Sequence, residues 1–209
     1  MRSMTWTKRA GSVAAVLAGL ALGACGPDAG HQTATLKGTI SGLSSSTAPV
    51  SPRIVMGWHI SLGMFPDNSD HQWSFGESAK LTATSFPAPF TFDALNPPPE
   101  SAYPKDSSGA EVLVATGLLM VADDVNKDSR FDFDINESGL LKKPDVLLGW
   151  AAGEQVIYVR DASHIQKFTQ AMPTQLSNPQ DLKAGYNLVQ GNTVVPLDTA
   201  ITIGPFANQ

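Results

Sequence analysis

Val112-Leu113-Val114-Ala115-Thr116-Gly117-Leu118-Leu119-Met120-Val121-Ala122 runs for eleven residues without a charge. Successive side chains of a strand point to opposite faces, so a strand with one wet face alternates apolar and polar residues. This run does not alternate and reads as a central strand covered on both faces. Outward from it, apolar residues come in short runs separated by Gly, Pro, Ser, Asn and Asp, with little sustained helical periodicity. That spacing predicts strands over Ala34–Gly42, Arg53–Leu62, Leu81–Thr84, Phe90–Leu95, Val112–Ala122, Asp145–Ala151, Gln155–Arg160, Tyr186–Gln190 and Thr199–Ile203. Pro87, Pro89, Pro97-Pro98-Pro99 and Pro104 cannot donate ladder hydrogen bonds, which makes their region edge, bulge or loop. A helix is predicted over Ala162–Ala171, with Ser163 as cap and Ile165, Phe168 and Met172 on one face, stopped by Pro173. Leu176–Lys183 reads as a further helical turn ending at Gly185. Short strands without a βαβ alternation predict an all-β fold, an antiparallel β-sandwich or partly open barrel with one or two short helices near the C-terminus.

The chain has 209 residues, of which 42% are hydrophobic and 16% charged. This suits one domain with a real core and excludes disorder throughout. With one cysteine there is no internal disulfide framework, no Cys-rich zinc site and no CxxC redox centre. A formal charge of -5 argues against nucleic acid as a partner, because neutralising phosphates needs clustered Lys and Arg.

Arg2, Lys8 and Arg9 precede an uncharged, mostly apolar stretch, Ala10–Ala24, too short to span a bilayer. The order reads as a signal peptide over 1–24. It ends in Leu22-Gly23-Ala24-Cys25, which resembles the lipobox of bacterial lipoproteins. The resemblance implies a diacylglycerol on the Cys25 thiol, cleavage before it, and acylation of the new amino group, with palmitate among the chains. Each buried methylene contributes about 0.8 kcal/mol, so more than one acyl chain makes a lasting anchor. Gly26 after the cysteine implies sorting to the outer membrane of a Gram-negative cell envelope. Cleavage would leave 185 residues, eleven basic against nineteen acidic, a charge of -8 that stands away from an anionic surface. Residues 25–33 are then the lipidated cysteine and a polar tether containing a solvated His31, and 34–209 a single β-rich domain.

The central run leads into Asp123-Asp124-Val125-Asn126-Lys127-Asp128-Ser129-Arg130-Phe131-Asp132-Phe133-Asp134, and six acids stand between Asp123 and Glu137. So much like charge repels itself unless a cation is present. Calcium takes six to eight hard oxygens at about 2.3–2.6 Å, and alternate residues of one loop can wrap them round it. Here the donors are the side chains of Asp124, Asn126 and Asp128, the carbonyl of Arg130, and Asp132 and Asp134. The D-x-N-x-D pattern resembles the calcium loops of EF-hand and dockerin proteins over about a dozen residues, and departs from them twice. Ser129 stands where glycine usually allows a positive φ, at about 1 kcal/mol. Ile135 stands where a bidentate acid usually closes the shell, leaving Asp134, Glu137 or a more distant acid to do so. With strands on both flanks the loop reads as a structural Ca²⁺ clamp, of Kd on the order of 0.1–1 mM. The alternative is a solvated turn in which Asp and Asn cap their own backbone. From Gly117 to Val159, the loop followed by Asp145-Val146-Leu147-Leu148-Gly149-Trp150 and Val156-Ile157-Tyr158-Val159 resembles a group of uncharacterised bacterial lipoproteins, which implies an exported β-rich domain and carries no known reaction.

GxSxG, SxxK, HExxH, GxxxxGK and GxGxxG are all missing from the sequence. His59 reads as a structural histidine on a strand, with a His59/His71 metal or acid–base pair as the alternative, and His164 as a surface residue. Trp58, Trp73 and Trp150, with Phe65, Phe75 and Tyr158, suit either core filling or a sugar or peptide groove. The expectation is a lipid-anchored envelope protein of binding or structural type, favoured over an enzyme. Its partners are the membrane, through the anchor, and an envelope protein or glycan. The alternatives are a metal-assisted hydrolase and a carbohydrate or peptide receptor using Trp58, His59, Trp73 and Trp150.

Overall fold

The computed structural model describes residues 33–44, 48–59, 73–105, 108–131, 134–136, 139–141, 144–171 and 176–206. The signal peptide, Cys25, the tether through residue 32, His71, Phe65, Asp132, Glu137, Met172 and Pro173 lie outside them. The chain forms β1 (Ala34–Ile40), β2 (Pro52–His59), β3 (Trp73–Lys80), β4 (Ala88–Ala94), β5 (Val114–Asp123), β6 (Asp134–Asn136), β7 (Gly139–Leu141), β8 (Val146–Trp150), β9 (Glu154–Val159), α1 (Ile165–Ala171), β10 (Gly185–Gln190), β11 (Thr193–Val195) and β12 (Ile201–Pro205).

Ten of these strands make one open sheet, and β6 and β7 pair separately. The sheet forks along β5. One edge of β5 is laddered to β2 from Thr116 to Asp123. The other edge carries β9 opposite Val114–Gly117 and β8 opposite Met120–Asp123. Between β8 and β9, Ala151 N–H still bonds to Leu119 O at 2.9 Å before the chain swings out and returns. From β8 the sheet continues through β12 and β1 to β4; from β9 it continues through β10 to β11. Among the described residues all strand pairings are antiparallel except β1 with β12, where Gly38, Thr39 and Ile40 face Ile201, Thr202 and Ile203.

The β12–β1–β4 arm folds over the remaining strands, which makes a sandwich curled into a partly open barrel. Leu36, Ile40, Phe90 and Phe92 from the arm share one buried cluster with Met56, Trp58, Leu119, Val121, Tyr158 and Leu188. Strand β4 alternates strictly between buried and exposed residues, as expected of a strand with one wet face. The outward side of β5 is covered as well. Val114 joins Ile157, Val159 and Val189 beneath Phe168 of α1, while Met120 and Ala122 join Val55 and Leu147 beneath Phe131. Burying a side chain such as Phe168 stabilises by about 1.5–3 kcal/mol. The eleven-residue run is thus central and apolar on both sides because both sides are packed.

Several expectations are corrected. Leu81–Thr84 is not a strand; the extended segment lies just before it, in β3. The sequence Trp73–Lys80 hides its strand character because two of its residues, Gly76 and Glu77, face the single Met56 of β2, which breaks the alternation. Ala162–Ala171 begins as a 3-10 turn, Ala162–His164, and its cap is Asp161, whose carboxylate accepts Ser163 N–H at 2.8 Å. Bonds from the amide and hydroxyl of Ser163 hold the Asp161 carboxyl below the usual carboxylate range. His164 is half-buried, with Nδ1 accepting Leu113 N–H at 3.2 Å. The turn expected over Leu176–Lys183 is a short 3-10 helix, Pro179–Asp181.

At the parallel junction a Cβ on Gly38 would sit 1.9 Å from Ile201 O, a backbone atom that cannot step aside, whereas a Cβ on Gly153 meets nothing within 4 Å. Gly38→Ala is therefore expected to destabilise the fold by at least about 2 kcal/mol and Gly153→Ala by less than about 0.5 kcal/mol, as read by urea unfolding.

Candidate functional site

The acidic segment is built outward from the end of β5. Asp123 faces the turn before β2, where its carboxylate accepts Val50 N–H at 2.9 Å and Ser51 N–H at 2.6 Å. Asp124 N–H returns a bond to Ser51 O at 3.1 Å. Asp145, at the entry to β8, accepts Val125 N–H at 3.0 Å. These bonds fasten the loop's first residues to two neighbouring segments. At its far end, Phe131 is buried against Phe75, with ring centroids 5.8 Å apart.

Between those anchors the chain turns back on itself. Lys127 and Ser129 take φ of 61° and 63°, the left-handed region that favours glycine. Asn126 Oδ1 accepts Asp128 N–H at 3.2 Å, its amide donates to Asp128 Oδ2 at 3.0 Å, and Asp128 Oδ1 accepts Arg130 N–H at 2.8 Å. Asn126 and Asp128 are exposed, but Asp124 is only 1% exposed. One oxygen of Asp124, Oδ2, accepts Ser129 N–H at 3.1 Å. The other, Oδ1, is buried and has no hydrogen-bond partner among the described residues. A buried polar atom left without a partner costs about 1–3 kcal/mol, and more when it carries charge.

The candidate donors are all hard oxygens, and the unpartnered atom is a buried carboxylate oxygen, so the residues fit an alkaline-earth ion better than a soft metal. Among the described residues no three His, Cys, Asp or Glu side chains converge closely enough to hold a metal by themselves. Asp132 lies outside the described residues, and of Asp134 only the backbone, opening β6, is described.

The aromatic candidates separate. Trp58 is 2% exposed inside the barrel, tilted against Tyr186 at 6.3 Å. Trp73 and Trp150 pack half-buried on the outer face with Leu118 and Phe206, and Trp150 meets Phe206 edge-on at 5.5 Å. His59 is buried and edge-on to Trp73 at 5.1 Å. Nε1 of Trp73 is buried without a partner among the described residues. Trp58 therefore shares no groove with Trp73 and Trp150.

Sequence reasoning missed a second locality, the seam between the outer edges of β3 and β4. Glu77 reaches across it to accept Leu95 N–H at 2.6 Å and the amide of Asn96, and the Asn96 carbonyl accepts the Tyr186 hydroxyl. Tyr186 also meets Tyr158 edge-on at 4.9 Å. The available signal was the Gly76-Glu77 pair inside an otherwise strand-like run, ahead of a proline cluster. No protein-family model, curated protein or solved structure matches the chain.

Proposed function

We propose that the chain is a lipid-anchored protein of the bacterial cell envelope, of binding or structural type, in which the Asp124–Asp134 loop holds a structural calcium ion. The observation that carries the calcium reading is the buried, unpartnered Oδ1 of Asp124 at the head of a loop with two left-handed residues. Asp124, Asn126 and Asp128, the carbonyl of Arg130, and Asp132 and Asp134 would hold the ion. A bound divalent cation would offset the self-repulsion of the acids and supply the partner that Oδ1 lacks. Because the loop is tied to the turn before β2 through Asp123 and to β8 through Asp145, ordering it would brace three segments at once. The anchor rests on Leu22-Gly23-Ala24-Cys25 and the basic and apolar residues before it. With an acidic body, acyl chains at Cys25 and not surface charge would hold the protein at the outer membrane, leaving the domain to meet an envelope protein or glycan.

Thermal melts of the full chain test the metal. Millimolar Ca²⁺ should raise the melting temperature and a chelator reverse it, with about 1.4 kcal/mol gained at ten times Kd. Asp128→Ala should remove the calcium-dependent rise, and an undiminished rise in that variant defeats the assignment. Ser129→Gly relieves a left-handed serine and should stabilise the protein by up to about 1 kcal/mol in chelator, with calcium binding retained. For the anchor, Cys25→Ser in a bacterial host should abolish palmitate labelling; labelling that persists in that variant would count against lipidation at Cys25.

A further inference from the structure

The seam between β3 and β4 borders an open cavity that no described residue of the acidic loop lines. Strands β2 and β3 pair regularly on either side of an irregularity, Val55 with Ser78 and Gly57 with Phe75, so that Met56 faces both Gly76 and Glu77. An extra residue of this kind bends a strand and re-aims a side chain. Gly76 ends up against the barrel interior, where a Cβ would stand 2.8 Å from Trp58 Nε1; its bareness makes room for the indole. Glu77 is turned across the gap towards Leu95 and Asn96, where no strand ladder joins β3 to β4. What remains between them is a cavity of about 260 Å³, lined by Met56, Trp58, Glu77, Pro97, Pro99 and Tyr186 among others.

The chemistry of these walls is one-sided. Among the described residues Glu77 is the single charged one lining the cavity. Its two partners are neutral donors, and no basic side chain among the described residues offsets its charge. Pro97 and Pro99 have no N–H to offer. The Tyr186 hydroxyl is spent on the Asn96 carbonyl. Burial first, and the negative charge of Glu77 second, push that hydroxyl well above its ordinary range, so the negative potential of Glu77 reaches Tyr186. Ring faces of Trp and Tyr are themselves electron-rich and attract cations within about 6 Å. An anion would be repelled here, and a sugar would find few donors for its hydroxyls.

We propose that the seam cavity binds a small organic cation, an ammonium group carried on an apolar body, with the charge held between Glu77 and the rings of Trp58 and Tyr186. The occupant supplies the positive charge that Glu77 lacks, while its apolar part replaces water against Met56 and the prolines.

The probes are choline and its uncharged carbon isostere, neohexyl alcohol, titrated into the isotope-labelled full chain while the indole N–H resonance of Trp58 is followed by NMR. Choline should shift that resonance saturably, and the alcohol should bind about tenfold more weakly, the scale of a desolvated cation–π contact with a nearby carboxylate. Glu77→Gln, if its melting temperature matches the parent, should weaken choline about tenfold while leaving the alcohol unchanged. If that variant fails to fold, the comparison of the two probes on the unsubstituted chain decides. No saturable shift with choline, equal affinity for the two probes, or a folded Glu77→Gln that binds choline as tightly as the parent would each overturn the proposal.

Discussion

The backbone of β5 bonds to three strands, and the rest of the sheet depends on that sharing. On one side Thr116 to Asp123 belong to β2, while the other side is divided between β9 and β8. A strand laddered on both edges has almost no water-facing polar backbone, so apolar side chains on both faces cost nothing in unsatisfied hydrogen bonds. The point where β8 gives way to β9, marked by Ala151 N–H on Leu119 O, lets one sheet become two arms. One arm closes over the interior to make the barrel, and the other is roofed by α1. Neither core could form without the strand that both arms leave from.

Where the ladder ends, carboxylates take over. Asp123 captures the amides of Val50 and Ser51, Asp145 captures Val125, and Glu77 captures Leu95. Each supplies an acceptor to an amide that no neighbouring strand reaches, and bonds to a charged acceptor are roughly twice as strong as neutral ones. This explains part of the acidity without any ligand: Asp123 and Asp145 are committed to the backbone. Asp124 differs from Asp123 by one position and by one oxygen left over, and that difference separates a structural cap from a candidate ion ligand.

Much of the architecture was legible because burial writes itself into hydrophobic pattern. The apolar run of β5, the clean alternation of β4 and the helix face around Phe168 all follow that rule. Strand β3 did not, because an irregularity opposite Met56 shifts its side-chain parity, and such a shift depends on the partner strand. Pairing of β1 with β12, 162 residues apart between Ser41 and Ile203, is likewise invisible to any local window. In the acidic loop the sequence showed which residues carry oxygen and that Ser129 would need a positive φ, the conformation it takes at 63°. It could not show that Asp123 turns to the backbone and Asp124 inward, or that Trp58 and Trp73 lie on opposite faces of one sheet.

The open seam has a consequence for solubility. Outer edges of a sheet are templates on which a second chain can extend the ladder, and exposed edges are where β-proteins begin to aggregate. Here Glu77 of the edge strand β3 occupies the amide of Leu95, just past the edge strand β4, and Pro89 lacks a donor within β4 itself. Strand β11, at the opposite end, is only three residues long. Among the described residues, the edges of this sheet thus carry features that work against a neighbouring copy extending the ladder.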